Sequence, residues 1–194
     1  MNAQAIVIGV SAGAVETLTT VLTPLPANYP LPIIIVVHIP AHKESVLASL
    51  FGAKCQMRVR EAEDKEMLEP GTIYFAPPGY HLLIEQDKSL SLSNEEEILF
   101  SRPSIDVLFE SAADAYGDGL IGIVLTGANE DGAKGLQEIV VAKGRAVVQD
   151  PESAVAAAMP QAALKLCPDA LVIKPAEISL YIIEAAPYKE KHAV

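Results

Sequence analysis

The chain has no tryptophan, only two cysteines and few basic residues, and no apolar run in it approaches the roughly 18 residues that a membrane-spanning helix needs. Each absence closes a class of explanation. Cys55 and Cys167 lie far apart, with no C-x-x-C pair and no Cys/His cluster, so neither a disulfide framework nor a structural zinc site is indicated, and reduced buried thiols are expected. Residues 1–4 lack the basic and apolar regions of an export signal. Fourteen Lys and Arg against 25 Asp and Glu give a formal charge of −11, which argues against nucleic acid, whose phosphates are held mainly by Lys and Arg. A cytoplasmic protein without membrane insertion is expected, and no metal or cofactor is called for.

What the chain does contain is a regular alternation of apolar runs and helical patterns. Ile6, Val7 and Ile8, then residues 33–37 and 121–125, are β-branched runs of the kind that forms strands covered on both faces. Residues 145–149 and 171–173 read as further strands, and 17–25, 43–51, 105–115, 133–142, 159–166 and 176–185 as helices. Between residues 56 and 93 the texture changes. Short pieces at 58–60, 72–76, 81–86 and 90–92, broken by Gly71, Pro77-Pro78-Gly79 and a polar turn at Asp87-Lys88, read as antiparallel hairpin strands, at an edge of the main sheet or in a small subsheet. Residues 95–97 are an acidic run expected in a solvated loop. With neither a repeat nor a low-complexity linker, residues 1–194 are expected to form one domain, 189–194 being a frayed tail. The expected fold is α/β: three layers, α/β/α, around a mostly parallel doubly wound sheet with a short antiparallel hairpin region.

In such sheets, sites gather at the carboxyl ends of the strands. Ser11 follows the first strand inside G-V-S-A-G, His38 ends the second, and Asp131 lies in T-G-A-N-E-D-G after the strand at 121–125. Each has an ordinary alternative: a serine can cap a helix or line a phosphate-binding turn, a strand-end histidine can be a satisfied half-buried group, and an aspartate before a helix can be its cap. Together they form the set that a hydroxyl nucleophile requires, namely a base for its proton and an acid to fix the base's tautomer. The N–H of Ala12, with an N–H from the acid loop such as that of Ala128, could hold a developing oxyanion. Competing residues are His42, expected to face solvent; His81, placed in a hairpin strand where it could line the cleft; His192, in the tail; and Glu130, ranked below Asp131. The order Ser, His, Asp differs from that of α/β-hydrolases, and neither G-x-G-x-x-G nor G-K-[ST] occurs.

Six blocks in order now carry a resemblance: I-G-V-S-A-G at 8–13, V-H-I-P at 37–40, Y-F-A-P-P-G-Y-H-L at 74–82, S-R-P-S-I-D-V-L-F-E-S-A-A at 101–113, G-I-V-L-T-G-A-N-E-D-G-A-K-G-L at 122–136 and V-Q-D-P-E-S-A-V-A-A-A-M-P at 148–160. The chain resembles the catalytic domain of the chemotaxis protein-glutamate methylesterase (CheB-type) family. The resemblance implies a Ser11, His38, Asp131 triad that hydrolyses glutamate γ-methyl esters on the cytoplasmic helices of methylated chemoreceptors, with glutamine deamidation as a second activity. Family members usually carry an N-terminal receiver domain. Here the first strand begins within a few residues of Met1, so that domain is expected to be missing and control to come from a separate response-regulator protein. The family's S-T-G-G reads S-A-G-A here, and its T-G-M-G-x-D-G reads T-G-A-N-E-D-G, with Ala128 and Asn129 for methionine and glycine. The other reading kept open is a catalytically weak interaction module of the same fold, binding a receptor helix or a regulatory partner.

Overall fold

A computed structural model describes residues 3–38 and 46–186. Its frame is a seven-stranded sheet in the order β3-β4-β2-β1-β7-β8-β9, comprising β1 (Ala5–Val10), β2 (Ile33–Val37), β3 (Arg58–Glu61), β4 (Thr72–Phe75), β7 (Leu120–Val124), β8 (Arg145–Gln149) and β9 (Leu171–Ile173). Every pairing in it is parallel. A separate antiparallel pair is formed by β5 (His81–Ile84) and β6 (Leu90–Ser93).

Burial on both faces explains the uninterrupted apolar strands. From β1, Ile6, Ile8 and Val10 enter a core with Leu18, Val21 and Leu22 of α1 (Ala14–Leu22), Leu47 and Phe51 of α2 (Leu47–Gly52), and Ile178 and Ile182 of α6 (Pro175–Ala185). Ala5 and Val7 point the other way. They join Ile105, Leu108 and Phe109 of α3 (Ile105–Tyr116), Leu136 and Ile139 of α4 (Ala133–Val141), and Met159 and Ala163 of α5 (Ala158–Leu166). Three layers result, as the alternating pattern predicts.

Two local expectations need correction. The pieces at 58–60 and 72–76 are not hairpin partners but the parallel strands β3 and β4, at one edge of the main sheet. Their connection contains no helix. It lies instead along β6, through Lys65 N–H to Leu90 O, Leu90 N–H to Glu66 O and Leu68 N–H to Lys88 O. Short strands bounded by turn residues look alike whether the chain reverses or crosses over, so pattern alone could not separate the two. The first helix begins at Ala14 rather than residue 17, because Gly13, at φ 82°, turns the chain directly into it. The start of the helix expected at 43–51, together with His42, His192 and the tail at 189–194, lies outside the described residues.

The strand order reverses between β1 and β7, the switch point at which the loops of a doubly wound sheet part to leave a crevice. Glycine lets α3 approach this point. A Cβ on Gly9 would stand 2.3 Å from Ile105 Cγ2, and one on Gly132, at φ 93°, 2.6 Å from the same atom. Ile105, the first residue of α3, therefore sits in a slot between the serine strand and the acid loop. Gly9→Ala is expected to destabilise the protein by about 1–3 kcal/mol through overpacking, as measured by urea unfolding. The loss should shrink in an Ile105→Ala background; an equal loss in both backgrounds would remove the slot as the reason for Gly9.

Candidate active site

Parallel pairing sets the three sequence-selected side chains on adjacent strand ends. Val10 is in register with Val37, and the N–H of His38 donates to Val10 O at 3.2 Å, so Ser11 and His38 leave neighbouring strands side by side. On the other flank, Ser11 N–H donates to Thr126 O at 2.9 Å. The Thr126 hydroxyl donates to Ala12 O at 2.8 Å and accepts from Ala156 N–H at 2.9 Å, which pins the turn after the serine to the acid loop. Gln149 supports Thr126 in turn, its Oε1 accepting the Thr126 N–H at 2.9 Å.

His38 and Asp131 meet directly, Nε2 to Oδ2 at 2.8 Å, with the His38 side chain 11% exposed and Asp131 fully buried. A carboxylate can only accept, so Nε2 carries a proton, which leaves Nδ1 as the nitrogen with the lone pair in the neutral imidazole. Asp131 has three further donors: Ser104 Oγ at 2.9 Å and Asp106 N–H at 3.0 Å on Oδ1, and Ile105 N–H at 2.7 Å on Oδ2. Burial pushes this carboxyl's pKa up, but the hydrogen bonds from His38, Ile105 and Asp106 outweigh it and hold the group below the usual carboxylate range. Asp131 thus caps a helix as well as pairing with the imidazole, and the helix is α3 rather than α4, which follows it in sequence. The favour is returned: Asp106 Oδ1 accepts Gly132 N–H at 2.9 Å and Gly135 N–H at 2.7 Å at the start of α4. Each helix is capped by an aspartate from the neighbouring one's beginning.

The remaining candidates separate clearly. Glu130 is exposed, and it is Asp131 that touches His38. His81 does not line a cleft; it is 2% exposed, with Nδ1 accepting Ser104 N–H at 3.1 Å and Nε2 bonded to Glu96 O at 3.0 Å. Ala12 and Ala128 are both exposed. Within the acid loop the N–H groups of Thr126, Gly127 and Asp131 are engaged, by Gln149, Ala156 and Asn129, whereas no partner takes those of Ala12 and Ala128 among the described residues. Asn129 needs no left-handed backbone, and its Oδ1 accepts the Asp131 N–H at 3.3 Å, so this loop closes with an asparagine where the family usually has glycine. No hydrogen bond joins the Ser11 hydroxyl to His38 among the described residues. Nor is any group of three or more His, Cys, Asp or Glu side chains there placed to hold a metal. Ser104, Asp106 and the Thr126 side chain were not legible as site components, and His81 was weighed only as a residue that could line the cleft. The one available signal was S-x-D at the start of a helix, which reads equally well as local capping.

A doubly wound α/β/α domain with a paired imidazole and carboxylate beside a serine at its switch point is the class that these features define. A family model described as CheB methylesterase matches residues 6–182, and the chain belongs to that family. A Leptospira interrogans relative, named provisionally as a protein-glutamate methylesterase/protein-glutamine glutaminase, is 51% identical over 165 residues, covering 85% of this chain and 86% of that protein. The protein-glutamate methylesterase/protein-glutamine glutaminase of Halalkalibacterium halodurans is 39% identical over 163 residues, 82% of this chain but 47% of its own length. The crystal structure of the Thermotoga maritima CheB methylesterase catalytic domain superposes with a TM-score of 0.89 at 31% identity, covering 95% of this chain and 99% of that one.

Burial also pushes the Asp106 carboxyl up to about 6, against the pull of the Gly135 N–H and with the Asp131 charge pushing the same way. The folded protein therefore holds this proton more tightly than the unfolded chain does. The associated stability is complete below about pH 4 and is lost as pH rises through about 6, amounting to roughly 2–3 kcal/mol. Asp106→Asn lacks this loss, so its stability relative to the parent protein should improve by that amount between pH 4 and pH 7. Urea unfolding across that range tests the point; a difference that stays level with pH would contradict it.

Proposed function

We propose that this chain is a serine hydrolase that removes γ-methyl esters from protein glutamate side chains, acting on the cytoplasmic helices of methylated chemoreceptors, and that it deamidates glutamine at the same site. The observation that carries the reading is the 2.8 Å pairing of His38 Nε2 with the buried Asp131, one strand away from Ser11. Family membership and the names of the relatives support the substrate class.

In this mechanism Ser11 Oγ attacks the ester carbonyl as His38 Nδ1 takes its proton, the Oγ–Nδ1 contact closing when substrate is bound. Asp131 holds the imidazole in the Nε2–H tautomer and stabilises the imidazolium that forms. The N–H groups of Ala12 and Ala128 receive the oxyanion. Collapse of the tetrahedral intermediate breaks the bond to the methoxy oxygen, which leaves as methanol with the proton from His38. Water, deprotonated by the same nitrogen, then cleaves the acyl-serine and frees the glutamate carboxylate. With glutamine the leaving group is ammonia, and the same steps give the same product.

Ser11→Ala should abolish methanol release from methylated chemoreceptor membranes and keep the parent unfolding curve; turnover near the parent level would sink the assignment. Asp131→Asn should lower kcat by about 10³–10⁴-fold with a much smaller change in KM. A loss below tenfold would move the orienting role to another acid.

A further inference from the structure

Before α3 the chain makes a tight hairpin whose sequence contradicts its shape. Ile98 and Ser101 exchange both backbone hydrogen bonds, at 3.2 and 2.9 Å, and the two residues between them, Leu99 and Phe100, have φ of 49° and 62°. Turns with two successive left-handed residues favour Asn-Gly, because side chains there crowd the backbone. Here the positions hold two bulky apolar residues, and Phe100 is 97% exposed. Strain together with exposure has no folding advantage, and strained backbone tends to persist where it serves a site.

The hairpin is also held firmly. Arg102 donates to Asn94 O at 3.0 Å and Glu95 O at 2.8 Å. His81, neutral because Nδ1 accepts the Ser104 N–H, donates from Nε2 to Glu96 O at 3.0 Å. Since Ser104 Oγ donates to Asp131, one hydrogen-bonded line runs from the hairpin through His81 and Ser104 to the carboxylate that pairs with His38. Leu99 lines a groove of about 230 Å³ with Glu130 and Ala133, the residues on either side of Asp131 and Gly132. Glu95, Glu96 and Glu97 lead directly into the hairpin, exposed and without a salt-bridge partner among the described residues.

We infer that Phe100 is a docking knob for the polypeptide substrate, seated in an apolar recess of that substrate flanked by Lys or Arg side chains, which face Glu95, Glu96 and Glu97. The inference rests on the function proposed above. An aromatic presented on a rigid support loses little entropy on binding, which is how single anchors come to dominate interfaces. The acidic run selects the charge of the partner.

The test separates docking from chemistry. Phe100→Ser should raise KM for methylated chemoreceptor membranes by about tenfold and leave hydrolysis of N-acetylglutamate γ-methyl ester amide at the parent rate. In a Ser11→Ala background, which reads binding without turnover, Phe100→Ser should weaken co-sedimentation with those membranes to the same extent. Combined Glu95→Gln, Glu96→Gln and Glu97→Gln should flatten the dependence of that binding on salt. An unchanged KM and unchanged co-sedimentation would overturn the inference, as would equal losses on the small ester or a Phe100-dependent self-association of this chain. If the parent protein hydrolyses neither ester, the proposed function fails, while the co-sedimentation result still decides the docking.

Discussion

Removing a carboxylate from water costs several kcal/mol unless other donors replace the water that is lost, and Asp131 meets that condition by drawing on two distant parts of the chain. His38 comes from the end of β2, Ser104 from the segment before α3, and the N–H groups of Ile105 and Asp106 from the first turn of α3. The positive end of a helix adds to the stabilisation of the charge. Moving the carboxylate would therefore uncap α3 and free the imidazole at once. Its pairing with His38 is also its tie to the fold, and this explains why so polar a group occupies a fully buried position at the edge of an apolar sheet.

The reciprocal arrangement around Asp106 extends the constraint. α3 and α4 each begin where the other's aspartate accepts their N–H groups, and Gly135 lets the two backbones approach, with a Cβ there falling 3.0 Å from Asp106 Cα and O. The acid loop is braced between two helix starts in addition to the contacts of its own Thr126 and Asn129. Alanine and asparagine at 128 and 129 are then compatible with a well-placed Asp131, because Ser104, Ile105 and Asp106 hold its carboxylate from outside the loop and Asn129 holds its N–H from within.

Much of this was legible in the residues. The parallel strands declared themselves because burial on both faces leaves an unbroken β-branched run, and Ser11, His38 and Asp131 followed from the rule that loops gather at the carboxyl ends of such strands. What remained hidden depended on distant partners. Whether Arg58–Glu61 and Thr72–Phe75 pair parallel or antiparallel is decided by where their connection lies, and it lies along β6. The capping of α3 by Asp131, and the placement of His81 against Ser104, join residues tens of positions apart, and a pattern read over a few neighbours does not register them. Even the ordinary reading of Asp131 as a cap was half right; the helix it caps was the unexpected part.

The strand order has a temporal consequence. β1 takes β2 as one neighbour early in the sequence, but its other neighbour is β7, from the second half of the chain. Pairings of such long sequence separation form slowly, since the entropy of closing the loop is spent before the contacts are gained. During synthesis Ser11 and His38 leave the ribosome well before Asp131. The nascent chain therefore lacks the His38–Asp131 pair until its sheet is nearly complete.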